Sequence, residues 1–178
     1  MRDVLFVLVL IGSAAGPAAA QMAPDVHLPR VDLGVTQLIY RYENASGQER
    51  WSPAGLAVSV TRNVTDRVGL GFQAARTARA LSALAGPRLN SGFFYGSERD
   101  PIPGRFFLEL LAGAAVRGVD GATRPAVQTG AGVDLLIAPS HGVSLRWELA
   151  YHTASGDPAD RSNYRFMIGV LFGPRIPR

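Results

Sequence analysis

The chain contains no cysteine and no lysine. Without thiols there is no disulfide framework and no thiolate metal site. Without lysine there is no Schiff-base chemistry and no P-loop grip on phosphate. All eighteen basic residues are arginine, a preference that a GC-rich coding bias explains without any special role for guanidinium. Histidine occurs only as His27, His141 and His152, which do not follow metal-ligand spacing. Asp134, Asp157 and Asp160 do not follow a calcium loop. Beyond residue 20 no run of about 18 apolar residues exists that would cross a bilayer as a helix. The net charge of +4 and pI near 10.1 raise nucleic acid as a partner. The arginines, however, stand singly among apolar runs instead of forming a basic stripe, which excludes it. Gly130-Ala131-Gly132 is not followed by a helix and is no dinucleotide fingerprint. These absences leave no assigned catalytic, cofactor-binding or metal-ligating residue, and no cofactor.

The first twenty residues form a separate object. Arg2 precedes an apolar run over 4–11, and small residues follow up to Ala18-Ala19-Ala20. This is the pattern of a secretory signal peptide of the Sec type, cut between Ala20 and Gln21. No cysteine follows the cut, so no lipoprotein anchor is expected. The expected organisation is a signal peptide at 1–20, a periplasmic lead at 21–30, one barrel domain at 31–173 and a tail at 174–178.

The barrel is read from alternation. In the last hairpin, Val143, Leu145, Trp147, Leu149 and Tyr151 alternate with Ser144, Arg146, Glu148, Ala150 and His152. Tyr164, Phe166, Ile168, Val170 and Phe172 then alternate with Arg165, Met167, Gly169 and Leu171. A period of two over nine or ten residues is a strand signal, and about 9–11 residues of tilted strand cross a bilayer. One face is apolar and aromatic, while the other mixes charge with small residues. A soluble barrel turns its apolar face inward, whereas a membrane barrel turns it outward. Leu56, Val58 and Val60 continue the pattern, as do Leu70 and Phe72 against Gly69, Gly71 and Gln73. So do Phe106, Leu108 and Leu110 against Phe107, Glu109 and Leu111, and Val127, Val133 and Leu135 against Gln128, Gly130 and Asp134. Fainter strands at 31–42 and 82–94 bring the count to eight, with residues 76–81 as a turn or a helical snippet. Pro87 predicts a local irregularity in the second of these, and residues 98–104 read as a turn. The loops near Asn44, Gly121 and Gly156 are longer than the turns at Asn63 and His141. Both termini therefore fall on the periplasmic side and the longer loops outside. Tyr42, Trp51, Tyr151 and Tyr164 are placed as an aromatic girdle.

Several stretches also resemble a known family. They are Leu84-Ala85-Gly86-Pro87-Arg88, Phe107-Leu108-Glu109-Leu110-Leu111-Ala112-Gly113-Ala114, Gly130-Ala131-Gly132-Val133-Asp134, the strand Leu145 through Tyr151, and the strand Tyr164 through Phe172. Together they resemble the small outer-membrane β-barrels related to the transmembrane domain of outer-membrane protein A. The resemblance covers nearly all of the chain after residue 30. It implies an all-β, eight-stranded antiparallel up-and-down transmembrane barrel in the outer membrane of a Gram-negative type envelope. It implies no catalytic residue. The partners it implies are outer-membrane lipid and the barrel-assembly machinery; scattered exposed arginine adds anionic lipopolysaccharide. One departure is that Gly173 to Arg178 follow the closing aromatic residue Phe172.

The inward set is expected to hold a lumen ion network of Glu109, Asp134, Arg146, Glu148 and Arg165, with Arg88 as a further member. Such charges must be mutually paired, hydrogen-bonded or wet. Eight strands leave no room for a wide, porin-like channel, so a narrow gated pore is the minor alternative. A lipid A-modifying hydrolase using His152, Ser155 and Glu148 is the alternative from another class. His152 and Ser155, three apart, fall on opposite strand faces, which argues against it. A soluble ligand-binding barrel would reverse the faces, exposing Arg146 and Glu148 and burying Trp147. The expected role is structural or surface interaction in the outer membrane, and the sequence identifies no external ligand.

Overall fold

The computed structural model describes residues 30–43, 48–78, 80–91, 94–95, 102–117, 121–138, 141–155 and 163–173. The expected signal peptide, the lead before residue 30 and the tail lie outside the described residues. The strands are β1 (Val31–Glu43), β2 (Glu49–Asn63), β3 (Val68–Arg76), β4 (Ala80–Asn90), β5 (Phe94–Tyr95), β6 (Pro103–Arg117), β7 (Thr123–Ala138), β8 (Val143–Ala154) and β9 (Asn163–Phe172). Every pairing is antiparallel, β1 pairs with β9, and β4 pairs with β6, so the sheet closes on itself. β5 is a two-residue extension beside the start of β6, so the wall has eight strands. The shortest has 9 residues and the longest 16, enough for about 9–11 residues of tilted strand to cross a bilayer.

Alternation dictates which face each side chain takes. On β1, Asp32, Gly34, Thr36, Leu38 and Tyr40 are buried, while Val31, Leu33 and Val35 are exposed. On β8, Arg146, Glu148, Ala150, His152 and Ala154 are buried, and Leu149 is 39% exposed. The outer wall displays Leu56, Val58, Leu70, Phe72, Phe106, Leu108, Leu110, Phe166 and Ile168 around the circumference. An apolar surface of this extent is incompatible with a solvated monomer and suits contact with acyl chains. The soluble reading fails at this point, since Arg146 and Glu148 are both 2% exposed and Trp147 faces outward.

The end where β1 begins and β9 finishes is the turn end, and the opposite end is the loop end. At the turn end, β2 and β3 are joined by a tight turn in which the Thr65 hydroxyl accepts from the Arg67 and Val68 amides at 3.2 and 3.0 Å. In the β7–β8 turn, Gly142 has φ of +65°, and a Cβ there would lie 2.0 Å from the Gly173 carbonyl. Only glycine serves at that position. Within 76–81, Arg76 ends β3 and Ala80 and Leu81 open β4, so the described residues there link two strands and form no helical snippet. The Thr77 hydroxyl accepts from the Ala80 amide at 3.0 Å, and the chain returns directly into β4.

Three local expectations change. Residues 103–104 belong to β6 and not to a turn, with Pro103 at its first position, where a proline costs no ladder bond. Asn63 is the last residue of β2. The connections also do not sort fully by length. The β3–β4 link at the loop end is short, while the link from β4 to β6 at the turn end is long. The irregularity expected at Pro87 is present but small. Pairing with β6 skips Gly86 and Pro87 and resumes at Arg88↔Glu109 in unchanged register, because proline has no amide to donate. A register shift between Leu38 and Tyr40 against β2 falls beside Pro53.

Candidate functional site

Among the described residues, the lumen gathers the buried charge. Four carboxylates (Asp32, Glu109, Asp134, Glu148) and four guanidiniums (Arg88, Arg105, Arg146, Arg165) are buried there. At full ionisation their charges cancel, the condition under which so many ions tolerate a low-dielectric interior.

Asp134 on β7 is the hub. Arg146 on β8 grips it with two prongs, Nε to Oδ1 at 2.7 Å and Nη2 to Oδ2 at 3.0 Å. Arg88 on β4 donates to Oδ2 at 2.7 Å and Arg105 on β6 at 2.8 Å. Arg105 also reaches Asp32 Oδ2 on β1 at 2.8 Å. In the eight-strand ring β1 and β6 are four strands apart in either direction, so this ion pair spans the diameter. The circuit then closes through amides. Asn63 donates to Asp32 Oδ2 at 3.1 Å, Asn90 to Asn63 Oδ1 at 3.3 Å, and Arg88 Nε to Asn90 Oδ1 at 3.0 Å. Asp134, Arg105, Asp32, Asn63, Asn90 and Arg88 thus form an unbroken ring of hydrogen bonds across the turn end. Phe107 packs against it, with the Arg88 and Arg146 guanidinium carbons 3.7 and 4.6 Å from its ring centroid. The ring fits because Gly132 lies opposite, where a Cβ would fall 2.5 Å from the ring edge.

Glu109 on β6 and Glu148 on β8 converge over Gly130, whose absent side chain leaves room for both. Oε1 of each and Nη1 of Arg88 make no hydrogen bond to protein; buried polar atoms of this kind are the ones that ordered water serves. A second cross-brace lies nearer the loop end. Arg165 on β9 donates to Gln128 Oε1 at 3.1 Å, and Gln128 donates to Gln73 Oε1 at 3.0 Å. Gln73 in turn points its amide at the Met167 sulfur, 3.6 Å away. Toward the loop end the filling is largely apolar, with the polar Ser82 and His152 also buried there. One cluster is Leu38, Tyr40, Ala57, Ala75, Ala150 and Met167; the other is Leu84, Leu111, Ala115, Ala126 and Ala154.

Of the residues the sequence singled out, Asp134, Arg146 and Arg88 meet directly. Glu109 and Glu148 meet each other over Gly130, and Arg165 belongs to the amide brace. Sequence reasoning missed Asp32, Asn63, Asn90 and Arg105 as members of the ring. Arg105 carried a usable signal: Phe106 faces outward, so its neighbour must face inward. Asn63 carried none, because a polar residue beside a tight turn reads as part of the turn.

The hydrolase residues are not brought together. His152 is 1% exposed inside the lumen, while Ser155 stands exposed past the end of β8, held by its amide on the Pro125 carbonyl at 2.8 Å. Among the described residues, no group of three or more His, Asp or Glu side chains is placed to hold a metal ion. Asp157 and Asp160, which the sequence already set apart from a calcium loop, lie outside the described residues, as does His27.

A closed, all-antiparallel, eight-stranded barrel with charge inside and apolar side chains outside defines a transmembrane-type β-barrel. No protein-family model matches the chain, and no curated protein does. Solved structures do. Neisserial surface protein A superposes with a TM-score of 0.54 at 10% identity, over 84% of this chain and all of that one. Ail, the attachment invasion locus protein of Yersinia pestis, gives 0.48 at 14% identity over 83% and 99% of the two chains. The N-terminal β-barrel domain of Pseudomonas aeruginosa OprF gives 0.45 at 12% over 79% and 96%. The likeness to Neisserial surface protein A shows the fold, a small eight-stranded barrel of the transmembrane type, as the sequence patterns implied.

Proposed function

We propose that this chain is an outer-membrane barrel with a sealed lumen, serving as a structural anchor that holds its loops at the cell surface. On this reading residues 1–20 direct export and are removed, and the barrel-assembly machinery inserts the remainder. The observation that carries it is the diametric ion pair Arg105–Asp32 within the closed ring around Asp134. Long side chains joined across the full width leave no continuous path for solutes. The amide brace and the apolar clusters seal the loop-end half a second time.

Two measurements test it together. Expressed from the full sequence, the protein is expected in the outer-membrane fraction, lacking residues 1–20 by intact mass, and shifting in gel mobility when boiled. Reconstituted in a planar bilayer, it is expected to give no sustained stepwise ion currents. Recovery as a freely soluble species would overturn the anchor, and steady single-channel conductance would overturn the seal.

A further inference from the structure

Full ionisation balances charge over the whole lumen but not within its two halves. Arg165 is engaged by Gln128 in the amide brace. On the turn-end side of that brace, the carboxyl groups of Asp32, Glu109, Asp134 and Glu148 face three guanidiniums, those of Arg88, Arg105 and Arg146. Four against three leaves one negative charge in excess in a low-dielectric space, where an unmatched ion is costly.

The excess falls on one pair. Asp134 takes bonds from all three arginines and Asp32 from Arg105. Glu109 and Glu148, 8% and 2% exposed, each keep an Oε1 that takes no hydrogen bond. They approach from either side of Gly130, where a Cβ would lie 2.8 Å from Glu148 Oε1 and 3.3 Å from Glu109 Cγ. Their carboxyl groups come within hydrogen-bonding reach of each other. A carboxylate only accepts, so two of them cannot bond to one another unless one carries a proton. The charged groups around the pair are Arg88 of β4, Arg105 of β6, Asp134 of β7 and Arg146 of β8, with Asp32 of β1 beyond Arg105. Arg165, His152 and Tyr40 lie on the loop-end side, and the inward Ser59, Thr61, Gly71 and Gln73 of β2 and β3 bring no charge. One shared proton brings the count to three against three.

We propose that Glu109 and Glu148 form an acid pair that binds one proton from solvent as the barrel folds and holds it at neutral pH. The proton bridges the two carboxyl groups over Gly130. On unfolding both side chains are solvated and ionised, since an exposed glutamate titrates at about pH 4.3, and the proton returns to solvent. Folding and proton uptake are therefore linked. Stability falls as pH rises wherever the folded state holds the extra proton. The geometry of the lumen carries this reading, whatever membrane the barrel occupies.

The test compares the purified protein with Glu109→Gln and Glu148→Gln, each folded into lipid vesicles and checked for its heat-dependent gel shift. In either variant a neutral amide replaces one acid and can still donate to the remaining carboxylate. The first readout is infrared absorption at neutral pH, in which a protonated carboxyl is distinct from a carboxylate. Wild type is expected to show a protonated carboxyl band that both variants lack. The second is urea unfolding from about pH 7 to pH 9, above the ordinary histidine range. The wild-type folding constant is expected to fall about tenfold per pH unit while the pair keeps its proton, and that of either variant to stay level. Absence of the wild-type band, its persistence in both variants, or equal pH slopes would overturn the proposal. So would a wild-type stability set by sodium concentration in place of pH, which would put a metal cation between two carboxylates. If neither variant folds, the wild-type band and slope decide by themselves.

Discussion

The two halves of the lumen are filled by different physics. At the turn end, arginine, aspartate and asparagine side chains from β1, β2, β4, β6, β7 and β8 interlock around Asp134. At the loop end, the same wall closes over Leu38, Leu84, Leu111, Met167 and a set of alanines. The charged half gains a fixed arrangement, because each ion depends on the others, and removing one member strands the rest in a low-dielectric space. The apolar half depends on volume, and volume can be supplied by other side chains of the same size. Between them, the Gln73–Gln128–Arg165 brace is a polar network with one formal charge.

The contrast is open to attack in order of expected effect. Asp134→Ala removes the hub and leaves Arg88, Arg105 and Arg146 without their shared carboxylate. It is expected to cost about 3–5 kcal/mol, measured by urea titration of the folded barrel in lipid vesicles. A loss under about 1 kcal/mol would mean that water already satisfies these ions. The outer wall supplies the next test, since the whole comparison depends on which face is inside. Leu149→Arg places a guanidinium among acyl chains and is expected to cost about 2–4 kcal/mol in the same titration; a neutral result would reverse the faces. Gln128→Ala cuts the middle brace and leaves the Gln73 carbonyl oxygen and the Arg165 guanidinium each short of a bond, for an expected loss of about 1–3 kcal/mol. In the apolar half, Leu84→Met conserves volume and is expected to cost less than about 1.5 kcal/mol. If Leu84→Met proved as damaging as Asp134→Ala, the two halves would not differ in the way proposed.

The outer wall itself shows why some features were legible and others were not. Runs such as Leu56, Val58 and Val60 announce their face without reference to any other strand, because alternation is a local property of the extended backbone. The same rule gave the inward placement of Glu109, Asp134, Arg146 and Glu148 before any partner was known. It gave the turn at Asn63 only approximately, since strand ends depend on how far the neighbouring strand continues. Asn63 remains in β2 because β3 pairs with it through Gly69. Pro103 looked like a turn residue and became a strand opener because β5 lies beside it.

What the sequence determined by itself is the period of two, the inversion of polar and apolar faces, the eight-strand count and the identity of most lumen charges. These follow from the geometry of single strands and from composition. Only the tertiary structure decided which charges meet. Arg105 and Asp32 are 73 residues apart, and nothing local relates them. Closure of the sheet between β4 and β6 sets β1 and β6 on opposite sides of a narrow lumen, at a width that one arginine and one aspartate can span. The ring around Asp134 is a consequence of that diameter, and a diameter is a property of a closed wall and not of any strand within it.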